Sequence, residues 1–539
     1  MQLIENATAQ KLRGGFYTPA PIADFILKWA VNGSRDYEIL EPSCGDGVFL
    51  DSIKSQNIHY KSVTAIELDE IEAQKAANID LINTQIYQQD FHTFCNQTDQ
   101  KYDLVVGNPP YIRYQYFDRE QQIEAEKIFN RARLSYSKLT NAWVSFVVGS
   151  SLLLKEKGKI GFVLPAEILQ VSYAKPLRRF LARFYNKINI VSFKTLVFPD
   201  IQQEVILLLC EKNNSGKHHI EHIELDGIND LDFVDMNTLK NAEKTIDFQS
   251  NKWTFYFLDQ REIDFLEHLN VAKNIPTIGS LASVEVGMTT GANKFFSVPQ
   301  SIVNQYDLQD YAKPLVGRSV QVKSLRFTPE DWRQNRQLGA RANFLHFPQI
   351  NEMKHNPEAL AYIRYGESLD IHKGYKCRIR DEWQIVPSAW ISDALFIRRN
   401  NRFPKLIVNE AQAYTTDTMH RVKLKNGTNI NALCASFYNS LSFAYAEISG
   451  RSYGGGVLEL MPNEAENILI PYHENHQDYL SEIDDRMRNG TSIDEILLFT
   501  NQKMLKDGFG FSDKDIKIAN NIWRKLSERR MTRGKKKLV

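Results

Sequence analysis

The chemistry of this chain centres on four consecutive residues, Asn108, Pro109, Pro110 and Tyr111. They follow the apolar run Leu104–Gly107, which predicts a buried parallel strand. The side-chain carbonyl of the asparagine and the carbonyls of the prolines are hydrogen-bond acceptors, and proline has no competing N–H. Open α/β sheets bind their ligands at the carboxyl ends of such strands. The four residues therefore predict a site for a planar amino group with two N–H donors, such as N6 of adenine.

The turn after the first predicted strand indicates a cofactor that carries a positive charge. The strand Glu38–Leu40 runs into the segment Glu41–Gly47, whose glycines allow a tight backbone turn. This segment does not fit the dinucleotide-binding fingerprint, because Leu50 stands where the third glycine would be. Its acids, Glu41 and Asp46, would repel a pyrophosphate and attract a cation, such as a sulfonium compound with a free α-amino group.

Two further strand ends carry groups that suit the nucleoside part of such a cofactor. Glu67 ends the predicted strand Ser62–Glu67, where an acid accepts both ribose hydroxyls in nucleotide-binding sheets. Asp90 and Phe91 end the predicted strand Ile86–Phe91, where a carboxylate can accept the adenine amine and a ring can pack on the base. Each group also has an ordinary interpretation, Glu67 as a solvated strand end and Asp90 as a helix cap.

Strands and helices alternate along the first 245 residues, and this alternation predicts a parallel, doubly wound α/β sheet. Thr18 is a candidate helix cap, with Pro19 in the first turn of the following helix. The mostly apolar segment 141–154 predicts a buried helix. The remaining strands are predicted at Lys159–Pro165, Ile188–Phe193 and Glu204–Cys210, and Phe198, Pro199 and Asp200 lie in a loop between the last two.

The composition is that of a globular protein with about two to four domains. The chain has 539 residues, of which 43% are hydrophobic and 24% are charged. Its start lacks the basic and apolar regions of a signal peptide, and no apolar run reaches membrane-spanning length. The five cysteines are scattered without a CxxC pair, so neither a zinc site nor a disulfide framework is indicated. We therefore expect a cytoplasmic protein with no membrane contact and no metal.

A basic region in the second half of the chain indicates contact with nucleic acid. Residues 311–425 contain 20 Lys and Arg residues against 11 Asp and Glu residues, and aromatic residues lie among them. Within this region the spacing of Lys376, Arg378 and Arg380 would place three cations on one face of a strand, with Lys373 close by. Charge runs are more often solvated faces, and that interpretation holds for the basic tail at 529–537.

Together these motifs resemble those of the gamma-class N6-adenine DNA methyltransferases, the TaqI-type enzymes of restriction–modification systems. The resemblance covers residues 14–212, with the cofactor motifs before the catalytic loop, as in the gamma class. The segment Gly14–Pro19 resembles the motif that closes over the methionine end of S-adenosylmethionine. Val197–Pro199 resembles the motif whose aromatic residue faces the target base, and Gly161–Pro165 resembles a structural strand. Asp46 departs from the family pattern, in which a small residue is frequent, so its contact with the cofactor stays open.

The resemblance implies a fold, a reaction and partners. The fold is a Rossmann-like sheet of seven strands with the last antiparallel, then a mixed α+β target-recognition domain and a helical C-terminal segment, with boundaries at 1–245, 246–475 and 476–539. The reaction, EC 2.1.1.72, is methyl transfer from S-adenosyl-L-methionine to N6 of an adenine flipped out of double-stranded DNA, with S-adenosyl-L-homocysteine as product. We expect a monomer in a bacterial or archaeal cytoplasm. A restriction endonuclease on a separate chain stays open.

Residue roles are implied as well. The expected catalytic residues are Asn108, Pro109, Pro110, Tyr111 and Phe198, with Tyr111 and Phe198 stacking on the flipped base. The expected cofactor-binding residues are Phe16, Tyr17, Thr18, Pro19, Glu41, Ser43, Cys44, Gly45, Gly47, Glu67, Leu68, Asp90, Phe91, Asn108 and Pro110. The expected DNA contacts are Arg113, Lys373, Lys376, Arg378 and Arg380.

Three other classes of protein are weighed against this interpretation. Methyltransferases that act on RNA or on protein glutamine also use an Asn-Pro-Pro-aromatic loop, but they would not need a basic, aromatic domain after the catalytic one. A fused restriction–methylation enzyme needs a nuclease; residues 1–13 are too few for one, and the C-terminal part lacks a convincing nuclease motif. A DNA-binding protein with an inactive methyltransferase fold would not need intact cofactor and catalytic loops.

Overall fold

The computed structural model describes residues 17–31, 35–112, 116–135, 140–198, 204–213, 216–234, 243–246, 252–272, 274–425, 427–453 and 455–532. The chain divides into an N-terminal unit, which holds Met1–Gln260 and Thr532–Val539, and a C-terminal unit, Arg261–Met531. The boundary between these two units lies after residue 260. The segment that begins at residue 476 belongs to the same compact unit as the expected recognition domain.

The N-terminal unit alternates strands and helices as the sequence predicts. Its strands are β1 (Tyr37–Glu41), β2 (Tyr60–Glu67), β3 (Thr84–Gln88), β4 (Tyr102–Gly107), β5 (Leu154–Pro165), β6 (Lys187–Phe193), β7 (Val205–Glu211), β8 (His219–Leu225) and β9 (Lys244–Thr245). Its helices are α1 (Ala20–Ala30), α2 (Val48–Ser55), α3 (Glu70–Ala77), α4 (Phe91–Gln97), α5 (Arg119–Arg131), α6 (Ala142–Leu152) and α7 (Lys175–Phe184). Short 3₁₀ helices lie at Ala166–Leu169, Ser172–Ala174, Ile228–Phe233 and Trp253–Phe257.

The strands of this unit form one large sheet, in the order β3-β2-β1-β4-β5-β7-β6-β8-β9. β1 to β5 pair in parallel, whereas β7 is antiparallel to both β5 and β6. The predicted doubly wound sheet, with β7 as its antiparallel last strand, is confirmed. Beyond the seven predicted strands, β8 and β9 extend the edge next to β6.

The burial of these elements follows from their apolar sequences. Every residue of β4 is buried, as expected for a central strand covered by helices on both faces. The helix α6 is buried along almost its whole length, which explains why its sequence lacks a polar face. On one face of the sheet, α1 packs closely enough on β5 that a Cβ at Gly161 would collide with Ile26. A rigid central sheet therefore holds the loops at its carboxyl edge.

Two local expectations for this unit are wrong. Pro19, not Thr18, occupies the N-cap position of α1, and no side chain caps that helix. The strand β3 ends at Gln88, and Asp90 is the N-cap of α4 rather than the end of a strand. In both cases the error concerns the residue at which a helix begins. Helix boundaries are uncertain by one or two residues, because they depend on contacts with other parts of the chain.

The C-terminal unit is a mixed α+β structure with several small sheets. Its strands are β10 (Ala282–Val286), β11 (Ser297–Val298), β12 (Ala312–Val316), β13 (Asn343–Leu345), β14 (Ala394–Ile397), β15 (Arg399–Asn400), β16 (Leu406–Val408), β17 (Tyr414–Thr415), β18 (Met419–Leu424), β19 (Arg451–Ser452) and β20 (Leu458–Glu459). They pair in the orders β10-β18-β14-β16, β11-β13-β12-β17 and β15-β20-β19.

Helices surround these sheets and make up the end of the unit. They are α8 (Gln260–Ala272), α9 (Ile278–Leu281), α10 (Asn293–Phe296), α11 (Gln300–Gln305), α12 (Pro329–Gln337), α13 (Pro357–Ser368), α14 (Tyr375–Arg378), α15 (Ile430–Phe437), α16 (Ser440–Ser449), α17 (Pro462–Glu466), α18 (Leu480–Arg488), α19 (Ile493–Thr500) and α20 (Asp513–Thr532), with a π-helix at Asn501–Gly508. Short 3₁₀ helices lie at Ser319–Gln321, Ile350–Met353, Ile371–Lys373 and Glu474–Tyr479. Across the described residues, none of the helices is both long and apolar enough to cross a membrane.

Buried ion pairs tie the C-terminal helices to the rest of this unit. Arg488 on α18 donates to Asp331 on α12 at 2.8 Å and to Asp484 at 2.7 Å. Arg530 on α20 is almost fully buried and donates to Glu447 on α16 at 2.7 Å. Since breaking such a pair leaves an unpaired buried charge, these contacts hold the helical segment in the C-terminal unit.

Candidate active site

A cavity of about 660 Å³ opens at the carboxyl ends of β1, β2 and β4. This edge of the sheet is where the predicted site residues converge, because parallel strands end on the same side. Of the predicted residues, those that line the cavity are Tyr17, Thr18, Glu41, Ser43, Cys44, Gly45, Glu67, Leu68, Asp90, Phe91, Asn108 and Pro110. Its volume lies in the range of small-molecule and cofactor sites.

The Glu41–Gly47 turn is held in a conformation that requires glycine at two positions. Gly45 and Gly47 have φ angles of +53° and +97°. A Cβ on Gly47 would collide with Ile79, so the turn packs directly against the end of α3. The backbone N–H of Cys44 donates to the carbonyl of Ile66 on β2 at 2.9 Å, and this bond fixes the turn to the sheet.

Glu41 is a buried acid at the edge of the cavity. Its side chain is 2% exposed, and within the described residues its Oε2 has no hydrogen-bond partner. Burial, with the neighbouring charges of Glu67 and Asp46, raises the pKa of Glu41 well above its usual value. A buried carboxylate without a donor is costly unless a ligand supplies one, so this position favours a cationic or N–H-bearing ligand.

Glu67 joins the turn to the strand β2. One carboxylate oxygen accepts the backbone N–H of Gly45 at 2.9 Å, and the other accepts that of Asp69 at 2.9 Å. Burial raises the pKa of Glu67, although these hydrogen bonds oppose the shift. Each oxygen has a second lone pair for a ligand hydroxyl. The acid therefore shapes the cofactor turn as well as facing the cavity.

Asp90 and Phe91 lie at the start of α4 and face the cavity together. The Asp90 carboxylate accepts the backbone N–H of Thr93 at 2.9 Å and contacts the His92 ring at 3.1 Å. Burial pushes the pKa of Asp90 upward, but the interactions with His92 and Thr93 outweigh it and the pKa is lowered. The carboxylate is thus ionised and in a fixed position. Phe91 stacks on Phe146 at 4.8 Å between ring centroids, so its ring is part of a packed aromatic wall.

The loop after β4 lies against the Glu41–Gly47 turn. The Ser43 hydroxyl donates to the backbone carbonyl of Asn108 at 3.3 Å, so the two loops are joined at the cavity. Asn108 and Pro110 line the cavity, whereas Pro109 is buried beneath it. Ala142 N–H donates to the carbonyl of Ile112 at 2.7 Å, which ties the end of the loop to α6.

The two aromatic residues expected to stack on a flipped base do not line the cavity. The Tyr111 hydroxyl donates to the carbonyl of Val163 on β5 at 3.0 Å, and burial raises its pKa. Phe198 lies in the loop after β6, as expected, but its ring is 7% exposed and packs in the core with Val197 and Leu231. In this conformation the Phe198 ring is therefore not exposed to a base, and its stacking role stays a prediction.

At the N-terminal motif, Tyr17 and Thr18 line the cavity and Pro19 does not. Tyr17 is 47% exposed, and its hydroxyl donates to Glu72 at 3.3 Å. Leu68, 55% exposed, lies on the other side of the site and gives an apolar surface for a planar ring. The predicted cofactor residue Phe16 and the predicted DNA contact Arg113 lie outside the described residues, as do Pro199 and Asp200.

Several cavity residues were not predicted. They include Gln89, His92, Ile112, Tyr116, Phe117, Gln121 and Phe146. Tyr116 is 68% exposed. Its position only a few residues after the catalytic loop could have indicated from the sequence that it lies near the cavity. His92 is fully buried, with its second ring nitrogen 2.8 Å from the Ser145 hydroxyl. Because His92 and Ser145 are distant in sequence, no local sequence pattern predicts their contact.

In the C-terminal unit the predicted cation stripe is wrong. Residues Tyr375–Arg378 form the short helix α14, so Lys376, Arg378 and Arg380 do not alternate along a strand. Lys376 and Arg378 are exposed, and Lys373 pairs with Asp370 at 2.8 Å on the surface. Arg380 instead donates to the carbonyls of Thr289 and Thr290, at 3.2 and 2.8 Å, so it supports the 287–291 segment.

Comparison with known proteins agrees with the two units. Residues 28–198 match the family described as Eco57I restriction-modification methylase, and residues 250–505 match the C-terminal domain of Type II methyltransferase M.Eco57I. Type II methyltransferase M.AccI of Acinetobacter calcoaceticus is 26% identical over 472 residues, which is 83% of each chain. Type II methyltransferase M.HindII of Haemophilus influenzae is 25% identical over 303 residues, 53% of this chain and 55% of its own. Among solved structures, the DrdV–DNA complex is 13% identical, with a TM-score of 0.49 over 89% of this chain and 58% of that one.

The sheet order, with its antiparallel β7, places the cavity between the acidic turn and the strand ends, and this part of the chain matches a restriction–modification methylase model. Both of its units match one enzyme family, and the matches extend over most of the chain. These matches indicate a DNA methyltransferase of a restriction–modification system, similar to the Eco57I methylases.

Proposed function

We propose that this enzyme methylates N6 of a specific adenine in double-stranded DNA, the activity EC 2.1.1.72, as the modification component of a restriction–modification system. The observation that carries the proposal is that Asn108 and Pro110 line the same cavity as the buried acid Glu41. One side of the cavity thus offers acceptors for an exocyclic amine, and the other offers a site for a cationic cofactor. Methyl transfer between the two needs both within one cavity.

The residues present fit S-adenosyl-L-methionine. Glu41, buried with an oxygen that no described residue pairs, suits the α-amino group of the cofactor. Glu67 has lone pairs for the ribose hydroxyls beyond those that accept Gly45 and Asp69. Leu68 and Phe91 offer apolar faces for the adenine ring. When bound, the cofactor supplies an electrophilic methyl group on a sulfonium, and it leaves as S-adenosyl-L-homocysteine.

Asn108 and the two prolines provide the chemistry at the target amine. The side-chain oxygen of Asn108 and the carbonyl of Pro109 or Pro110 accept the two N–H bonds of the amine. The nitrogen then becomes more pyramidal, and its lone pair, otherwise delocalised into the ring, points at the methyl group. Since the amine proton becomes acidic only after the N–C bond forms, it passes to solvent without a strong base. Positioning and electrostatics supply most of the rate.

The target base must leave the duplex to reach this cavity, at a cost of roughly a few kcal/mol. Tyr111 and Phe198 are the proposed stacking residues, and stacking offsets about 1–3 kcal/mol per base. Because Phe198 is buried in this conformation, its role requires that its ring become exposed when DNA binds. Tyr116, exposed at the cavity, is a further aromatic face on the same side as the catalytic loop.

Recognition of the DNA sequence is proposed for the C-terminal unit. Lys373, Lys376 and Arg378 are exposed cations there, and with Arg113 they are proposed phosphate or base contacts. The proposed enzyme acts as a monomer, without a metal, beside a cognate endonuclease on a separate chain. Within the described residues, one group of three metal-binding side chains lies close together, at His219, Glu221 and Glu243, and none of these lines the cavity.

Nucleoside analysis tests the proposed target directly. The purified enzyme is incubated with plasmid DNA and methyl-labelled S-adenosyl-L-methionine, and the digested nucleosides are separated by mass spectrometry. The label should appear in N6-methyladenine, and long-read sequencing should then show it at one recurring sequence. Label in N4-methylcytosine, in RNA or in protein glutamine would overturn the adenine assignment.

A further inference from the structure

A second concave surface on the N-terminal unit is strongly cationic. It has a volume of about 540 Å³ and lies between the end of α5 and the helix α7. Its charged lining residues are all cations: Arg133, Lys175, Arg179 and Arg183. No acid is among its lining residues in the described part of the chain. This surface is called the cationic groove below.

The cations of α7 follow one stripe of the helix. Lys175, Arg179 and Arg183 are spaced four residues apart and therefore lie above one another on one face. The opposite face, with Leu177 and Leu181, is buried in the core of the unit. The stripe is thus the outward face of a helix whose other side fixes its orientation.

The neighbouring Arg178, on the same helix, has a structural role. It is 1% exposed and donates to the carbonyls of Ile168 and Val171, at 2.7 and 3.0 Å. Within the described residues, no ion pair is recorded for the groove residues Lys175 and Arg183. Arg178 is explained by the fold, whereas the charges of Lys175 and Arg183 have no such structural role among the described residues.

The cations on this stripe of α7 destabilise the protein when no anionic partner is bound. Lys175 lies in the first turn of α7, where the helix dipole disfavours a cation, and that turn has no acid. Like charges four residues apart repel each other along a helix. Burial and the charges of Arg179 and Arg178 lower the pKa of Lys175. An arrangement that opposes the stability of its own helix is best explained by an anionic partner that relieves it.

We propose that the cationic groove binds backbone phosphates of the DNA outside the target base pair. The proposal rests on the proposed function, since it names a second contact with the same substrate. Phe180 and Phe184, stacked at 5.1 Å, form an apolar floor beside the cations. Lys212 lies over the Phe184 ring at 5.0 Å, but its charge is paired with Glu156 at 3.0 Å. Phosphate contact needs cations but no base edge, so the groove adds affinity and not sequence specificity.

The position of the groove sets which part of the duplex it can touch. The helix α5 begins beside the cofactor cavity, where Gln121 lines the wall, and the groove begins just after its last residue, Arg131. A helix of 13 residues is about 20 Å long. The groove therefore suits flanking DNA rather than the flipped base.

The test compares Lys175→Gln, Arg183→Gln and the double variant with Lys28→Gln, which removes the same charge from an exposed position on α1, in the other helix layer. Binding to a cognate and to an unrelated duplex is titrated at several salt concentrations. Each groove substitution should reduce the log–log salt slope by about 0.9, equally on both duplexes. The melting temperature of the free protein should rise by about 1–2 °C for Lys175→Gln. The affinity for S-adenosyl-L-methionine should not change.

Weaker DNA binding together with a more stable free protein would support DNA binding by the cationic groove. If the groove cations had a purely structural role, their substitution would instead lower the stability of the free protein. Wild-type salt slopes in the double variant, or an equal loss in Lys28→Gln, would overturn it. These outcomes are independent of the methylated base. If the enzyme failed to methylate adenine, the salt slopes would still report on the groove; if the groove were wrong, adenine methylation would still be observed.

Discussion

The substitution Glu41→Gln probes the cofactor cavity most sharply, because it removes one charge and almost no volume. The side chain is 2% exposed, and its Oε2 has no hydrogen-bond partner in the described part of the chain. Its pKa is raised, first by burial and then by Glu67 and Asp46. Glu41 should therefore lower the stability of the free protein and raise its affinity for the cofactor. The substitution should increase the stability and decrease the affinity.

In the complex, Glu41→Gln replaces a charged acceptor of the cofactor ammonium by a neutral amide. A hydrogen bond to a charged group contributes about 1.5–3 kcal/mol, so the affinity for S-adenosyl-L-methionine should fall roughly 10- to 150-fold. A cation next to Glu41 also favours its ionised form. Cofactor binding to the wild type should therefore release a proton at pH values below the raised pKa, and binding to the variant should not.

In the absence of cofactor, Glu41→Gln should have the opposite effect and stabilise the protein. The folded state holds the Glu41 proton more tightly than the unfolded chain does, because the folded pKa is raised. The free energy of unfolding therefore falls as the pH rises from the ordinary carboxyl pKa through the raised value. Glutamine does not titrate, so the variant should be more stable than the wild type at neutral pH, and the pH dependence should be smaller.

Isothermal calorimetry in buffers of different ionisation enthalpy measures both the affinity and the proton release, and thermal unfolding at several pH values measures the stability. Asp51→Asn, an exposed acid on α2 outside the cavity, is the matched control and should leave cofactor affinity unchanged. Unchanged affinity and proton release in Glu41→Gln would refute the placement of the cofactor cation beside Glu41.

Three further predictions follow from the contacts of single residues. Glu67→Gln should weaken S-adenosyl-L-methionine binding by about 1.5–3 kcal/mol and lower the melting temperature, since Gly45 N–H and Asp69 N–H share its oxygens; calorimetry and thermal unfolding report these effects. Phe198→Leu, which keeps most of the buried volume, should reduce 2-aminopurine fluorescence at the target position without changing the sequence that is modified; full fluorescence would exclude stacking by Phe198. Arg380→Ala should cost about 1–3 kcal/mol of stability by leaving two carbonyls without their donor, whereas Lys376→Gln should leave stability unchanged and reduce the salt slope of DNA binding by about 0.9, as thermal unfolding and salt titrations would show.

The catalytic half of the fold was predictable because its signals are local. The strand β4 is a short, fully buried apolar run, and Asn108–Tyr111 follows it directly in the chain. The strands β5, β6 and β7 likewise contain contiguous apolar segments, so their positions need no knowledge of the neighbours. The convergence of the cofactor residues at one edge then follows from parallel strand order.

The features that were missed depend on contacts between distant segments. Phe198 is buried in a core cluster drawn from many distant segments, which no local pattern encodes. The spacing of Lys376, Arg378 and Arg380 fits a strand as well as a loop, and the short helix α14 is set by tertiary packing of Cys377, which is fully buried. The cationic groove likewise joins Arg133 to α7 across more than one element.

The central claim is that the side-chain oxygen of Asn108 accepts a hydrogen bond from the target amine, and single-turnover methyl transfer by Asn108→Ala tests it most directly. The rate is measured at saturating DNA and S-adenosyl-L-methionine, with both affinities determined in parallel and the exposed Asn78→Ala as control. The account predicts near wild-type affinity for both ligands and a rate reduced by about 10²–10³-fold. A near wild-type rate of transfer to adenine in Asn108→Ala would contradict it.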